Sequence, residues 1–265
     1  GLNLLLDAVL RLGTLVLFIA LGFGVRGALL TTFVSALCAY GAGIFMLSFL
    51  FKYKEKQQPE IQIGEIVSYA LPVFLSSTAY SLLGYMDVFM VKHFFAEHDA
   101  GLYSATSIIG KAFLFFPGAV AMILFPKVSR SFELNTSTSS MLYKSLGLTA
   151  AISAVAIAFC YLFPDFVIGL LFGGEFKGIA PVVKIFGAAI LPLVLINIVM
   201  NYCLAIHRYA MIYIMYAGII LYAALLWFFH SSFTQVIAIL FCVNLAILLL
   251  SLFTAKENRK PAHAV

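Results

Sequence analysis

Eight stretches of predominantly apolar residues follow one another through the chain, at approximately 4–22, 28–51, 66–92, 102–126, 144–163, 179–204, 209–228 and 233–254. Runs of about 20 such residues are what a helix needs to cross a hydrocarbon core about 30 Å thick. Backbone N–H and C=O groups find no water there and must bond within the segment, so helices are expected. A closed barrel would show alternating segments of about 10 residues, and these runs are continuous. The expected fold class is therefore all-α, a polytopic transmembrane helix bundle with eight spans. Composition agrees: 63% of the 265 residues are hydrophobic and 10% charged, against about 45–50% apolar and about 25% charged in a soluble domain. A water-soluble enzyme, a disordered chain and a nucleic-acid reader are excluded.

An even number of spans puts both termini on one side. The connections on that side carry Lys52, Lys54, Lys56, Lys127, Arg130, Lys144, Arg208, Lys256, Arg259 and Lys260, and the other side only Arg26, Lys92 and Lys177. This asymmetry predicts cytoplasmic termini in a multi-pass protein of the cell (inner, cytoplasmic) membrane. The first run holds Asp7 and Arg11 and lacks a small-residue cleavage pattern, so it reads as a span rather than a signal peptide. A start at Gly1 predicts a piece of a longer protein.

Two polar segments punctuate the chain. KYKEKQQPEIQ, Lys52 to Gln62, contains Pro59 and reads as a cytoplasmic joint, whereas KVSRSFELNTSTSS, Lys127 to Ser140, reads as a Ser/Thr-rich cytoplasmic loop. Pro72, Pro117 and Pro192 fall inside spans, where each removes a backbone hydrogen bond and can bend the helix. Ser76, Ser77 and Thr78 follow the first of them and offer hydroxyls to nearby carbonyls.

Charges inside the spans are the informative residues, because a central charge costs about 2.5–3.5 kcal/mol on insertion scales and should face protein or a watery cavity. Asp7 and Arg11 are four residues apart and can pair on one helix face; a cavity-facing Arg11 meeting an anionic substrate is the alternative, since a guanidinium suits phosphate. Asp87 lies about 7.5 Å from the outer end of its helix and Lys111 about 13.5 Å into the next. An ion pair between the two inside the hairpin is one reading; on the functional reading Lys111 is a cationic cavity residue and Asp87 either its partner or a titratable coupling site. Lys184 and Lys92 lie near the outer face, where a long side chain can snorkel. Glu65 favours the positive dipole end of its helix. Asn197 and Asn201 are placed for hydrogen bonding between helices, and Tyr80, Tyr85 and Tyr216 lie deep enough to line a sugar-binding cavity.

Cys38, Cys160, Cys203 and Cys242 stand singly in apolar runs, so no metal site, redox pair or cofactor is expected. The chain also lacks a hydrolase elbow, a phosphate-binding glycine loop and a metalloprotease HExxH. It reads as no enzyme.

The stretch from Ile66 to Ser131, with YALPVFLSS, GYMDVFMVKHF, AGLYSATSIIGKAF and LFPKVSRS, resembles the start of the second lobe in the polysaccharide flippase family, part of the superfamily that holds the MATE multidrug exporters and lipid II flippases. The Asp87 position, Gly101 with Tyr103, and Pro126 with Lys127 carry that resemblance, and LLFGGEFKGIAPVVKIFG is similar to the outer loop and helix that follow. It implies MATE-like lobe architecture. Residues 1–51 would be the last two helices of a first lobe, 52–63 a cytoplasmic linker, 64–255 a six-helix second lobe and 256–265 a cytoplasmic tail. Family members have 12 or 14 helices, so most of the first lobe would be missing. The implied function is translocation of a polyprenyl-pyrophosphate-linked oligosaccharide by alternating access, with Lys111, Arg11 and Lys184 as candidates to meet the pyrophosphate and Asp87 to sense an ion gradient. The implied partners are the lipid-linked oligosaccharide, membrane lipids, and a polysaccharide polymerase and glycosyltransferases, with no nucleic acid. Three other readings stay open: an ion-coupled multidrug or small-molecule exporter, a membrane-embedded polyprenyl-phosphate transferase, and a noncatalytic assembly subunit. The transferase would need clustered aspartates for Mg²⁺, and the cytoplasmic loops hold only the scattered Glu55, Glu60, Glu133 and Glu257.

Overall fold

The computed structural model describes residues 2–52, 63–134 and 138–255, which are helical apart from turns and short connections, with no strand among the described residues. The all-α, polytopic class is thereby established. The chain divides into two compact units, Gly1–Gln62 and Ile63–Val265. Most of the expected linker, residues 53–62, and the expected tail, 256–265, lie outside the described residues.

The first unit is a helical hairpin of α1 (Leu2–Ala20) and α2 (Gly24–Lys52). Gly22 and Gly24 turn the chain with φ of 79° and 53°, values that a residue without Cβ adopts at no steric cost. On α2 the buried residues Gly27, Thr31, Ser35, Ala39 and Gly43 recur every fourth position, while Phe33, Leu37 and Phe45 are exposed. Small residues along one stripe let two backbones approach closely. The tightest point is Gly27, where a Cβ would stand 2.8 Å from that of Phe23 and 2.9 Å from that of Phe18. The stripe's hydroxyls bond within the helix, Thr31 Oγ1 donating to the Gly27 carbonyl at 3.0 Å and Ser35 Oγ to Thr32 at 3.3 Å.

The second unit comprises α3 (Ile63–Phe94), α4 (Glu97–Lys111), α5 (Phe115–Glu133), α6 (Ser139–Leu162), α7 (Pro164–Phe172), α8 (Ala180–Ala189), α9 (Leu191–Ala205), α10 (Ala210–Phe228) and α11 (Phe233–Ala255). Its centre is α9, where Leu193, Val194, Ile196, Ile198 and Val199 have no exposed surface. It packs against α5, α11, α6 and α3. The segment Ala180–Ala205 is 61% buried, whereas Ile66–Phe94 and Ser139–Leu162 are 17% buried. An apolar helix that hides so little of itself inside the protein must find its solvent in lipid. Across the described residues six helical stretches, α8 and α9 together counting as one, are long and apolar enough to cross a membrane, so this is a multi-pass membrane protein.

Proline chemistry explains where the helices depart from the expected spans. The continuous span anticipated at 102–126 is divided by a 3-10 turn at Ala112–Leu114. Pro117 cannot donate to the carbonyl of residue 113, and its ring crowds that carbonyl, so the ladder breaks one turn before it. Pro192 acts likewise in the second position of α9, separating α9 from α8 at Ile190. Pro72, by contrast, sits within an unbroken α3. Ser76 Oγ donates there to the carbonyls of Pro72 and Val73, at 2.8 and 3.0 Å. The loop anticipated from Lys127 is also shorter, since α5 continues through Glu133.

Candidate functional site: a buried ion pair at the wall of a cleft

The break before Pro117 sets the site, because it makes Lys111 the last residue of α4, the end at which a helix dipole favours a cation. From there Lys111 Nζ donates to Asp87 of α3, at 2.9 Å to Oδ1 and 3.2 Å to Oδ2. Tyr103 Oη donates to the same carboxylate, 3.0 Å from Oδ2. The Asp87 side chain has no exposed surface and that of Lys111 is 9% exposed. The ion pair anticipated within the hairpin is present.

Tyr103, Ser107 and Lys111 are spaced four residues apart, which places them along one face of α4. Their stations are fixed by packing. The Tyr103 ring meets Phe186 edge-on at 5.9 Å and Phe233 at 5.5 Å. Gly110, next to the lysine, leaves room for the Phe186 ring to occupy the place a Cβ would take. A larger residue at 110 would push α4 from α8 and carry Lys111 away from Asp87.

Lys111 also forms part of the wall of a cleft of about 580 Å³ between α3 and the α4–α5 break, within the range of small-molecule sites. Tyr80, Ser81, Tyr85, Ser104 and Ser107 supply its polar groups, and Val88, Ile108, Leu114 and Phe115 its apolar walls. The Lys111 ammonium lies 5.0 Å from the centroid of the Tyr85 ring, a cation–π distance. Ser107 Oγ is buried behind this wall and finds no hydrogen-bond partner there. Of the tyrosines singled out by depth, Tyr80 and Tyr85 reach the cleft, whereas the Tyr216 hydroxyl is engaged by the Leu75 carbonyl at 3.3 Å.

The other candidate cations have partners of their own. Arg11 Nη2 donates to Asp7 Oδ2 at 3.0 Å within α1, with side chains 49% and 26% exposed. Lys184, on α8, rests over the Tyr161 ring of α6 at 5.3 Å. Asn201 Nδ2 donates to the Asn197 carbonyl and side chain along α9, at 2.9 and 3.1 Å, and Asn197 also meets the Tyr80 side chain of α3, in keeping with the expected bonding between helices. Ser107 and Tyr103 were not anticipated as site residues, although counting back from Lys111 in fours leads to both.

Comparison with known proteins adds lineage to this geometry. Residues 4–181 match the family described as polysaccharide biosynthesis protein. An uncharacterized membrane protein of Methanocaldococcus jannaschii is 24% identical over 163 residues, covering 57% of this chain and 38% of that relative. The chain thus spans well under half the length of that protein. No solved structure matches it.

Proposed function

This chain belongs to the polysaccharide biosynthesis protein family, and on that premise we propose that it is part of a flippase moving a polyprenyl-pyrophosphate-linked oligosaccharide across the cytoplasmic membrane by alternating access. The physical task is to carry a hydrated, anionic head group through hydrocarbon. A cavity that performs it must replace lost water with cations and hydrogen-bond donors. The observation that carries this reading is Lys111, a cation deep in the bundle, neutralised by Asp87 and bordering a cleft with serine and tyrosine hydroxyls.

An arriving phosphate competes with Asp87 for the ammonium. Tyr103 stays bonded to the carboxylate, limiting the penalty of uncovering it. Ser107 and Tyr85 lie beside the released lysine to receive the head group and its first sugar. When the phosphate leaves, Asp87 recovers the lysine and the site resets. Because Asp87 is already satisfied, the cleft presents no free carboxylate to an organic cation, which disfavours the drug-exporter reading. The excess of Lys and Arg on the terminal side supports cytoplasmic placement of both ends of the stretch 2–255.

The test is flipping of a fluorescent lipid-linked oligosaccharide by the reconstituted full-length protein. Lys111→Gln, at equal amounts of monodisperse protein, should lower the rate at least tenfold, and Lys111→Arg should retain part of it. Wild-type rates in Lys111→Gln would remove this lysine from the transport path.

A further inference from the structure

A second, independent site lies between α5 and α6, where a groove of about 320 Å³ runs along the outer wall of the second unit. One end is apolar, with Ile123 and Leu124 of α5 facing Leu148 of α6; Ile123 and Leu148 are 60% and 54% exposed. At the other end stand Lys127, one turn further along α5, and Lys144, one turn earlier on α6, with Ser145 beside it. Both lysines therefore lie toward the α5–α6 turn. From residue 127 to the end of α5, and from the start of α6 to residue 144, is about 7.5–9 Å of helix, so both lysines stand near the polar end of this helix pair. The two ion pairs found among the described residues involve neither lysine.

We propose that this groove is a binding site for one anionic glycerophospholipid, its headgroup phosphate held by Lys127 and Lys144 and one acyl chain laid along Ile123, Leu124 and Leu148. Charge complementarity selects the occupant. An uncharged or zwitterionic lipid fills the apolar end equally well but gains no net attraction from two adjacent cations, whereas an anionic one gains about a fivefold preference per basic residue. A bound lipid of this kind clamps α5 to α6 at the end opposite the 3-10 break that positions Lys111. The site stands whether or not the cleft transports an oligosaccharide.

Native mass spectrometry of the purified full-length protein, titrated with phosphatidylglycerol and phosphatidylcholine of the same acyl chains, tests it. Wild type should retain phosphatidylglycerol preferentially, by tenfold or more. Lys127→Gln with Lys144→Gln should abolish the preference, and Leu148→Trp, which fills the acyl seat and keeps both lysines, should abolish it too. Lys92→Gln should leave it unchanged. A preference that survives the double substitution overturns the proposal. Loss in the lysine variant but not in Leu148→Trp would reduce the effect to surface charge and overturn the groove. Displacement by an equal concentration of polyprenyl phosphate would reassign the groove to the carrier lipid.

Discussion

Among the described residues, the first unit holds the pair Asp7–Arg11 and the second the pair Asp87–Lys111, and the two differ in how they are made. Asp7–Arg11 joins residues one turn apart on α1, with side chains 26% and 49% exposed, whereas Asp87–Lys111 joins two helices through side chains 0% and 9% exposed. The first is a consequence of helical spacing alone. The second exists only because the α3–α4 hairpin places residue 111 opposite residue 87, α4 stops there, and Tyr103 completes the carboxylate's hydrogen bonds. A buried pair of this kind is weak evidence for stability, since hydrophobic residues of similar volume often serve as well or better. Its place at the wall of a cleft is the basis of the transport role proposed above.

Breaking the two pairs should separate them by magnitude. The largest effect is expected for Asp87→Asn, which leaves a buried ammonium without its counter-charge. Stability of the purified full-length protein should fall by about 3–5 kcal/mol, and adding Lys111→Met should recover most of that loss, because the second substitution removes the stranded charge. If the double variant is no more stable than the single one, the carboxylate is held by something other than Lys111. The smallest effect is expected for Arg11→Gln, under about 1 kcal/mol in the same denaturation measurement, as for exposed pairs generally. A loss comparable to that of Asp87→Asn would show that Arg11 is held as tightly as Lys111, and the contrast between the units would vanish.

Much of this contrast was legible in the residues. Asp7 and Arg11 could be paired from their spacing, and Asp87 and Lys111 by estimating depth in two antiparallel helices. Proline was read less well. Pro72, Pro117 and Pro192 looked alike in sequence, yet α3 continues through the first, whereas helices break before the other two. Propensity does not distinguish a proline whose neighbours hold the helix from one that ends it. The stripe of Gly27, Thr31, Ser35, Ala39 and Gly43 was hidden because small residues carry no hydropathy signal. In sequence, Lys127 and Lys144 mark orientation and Lys127 also the family resemblance, but which apolar residues stand beside them depends on the packing of α5 against α6. Tyr103 carries the resemblance in sequence, yet its bond to Asp87, and the place of Ser107 beside the pair, depend on how α4 packs against α3.

The proposed transport role requires that the end of α4 open onto a solvated cleft. It is tested most directly by a Lys111→Cys variant of the full-length protein in which Cys38, Cys160, Cys203 and Cys242 are first replaced by Ser or Ala. Modification of this thiol by a small, positively charged, water-soluble methanethiosulfonate, slowed by added lipid-linked pyrophosphate, is the predicted result. A thiol that resists the reagent in native membranes and reacts only after denaturation would contradict the account.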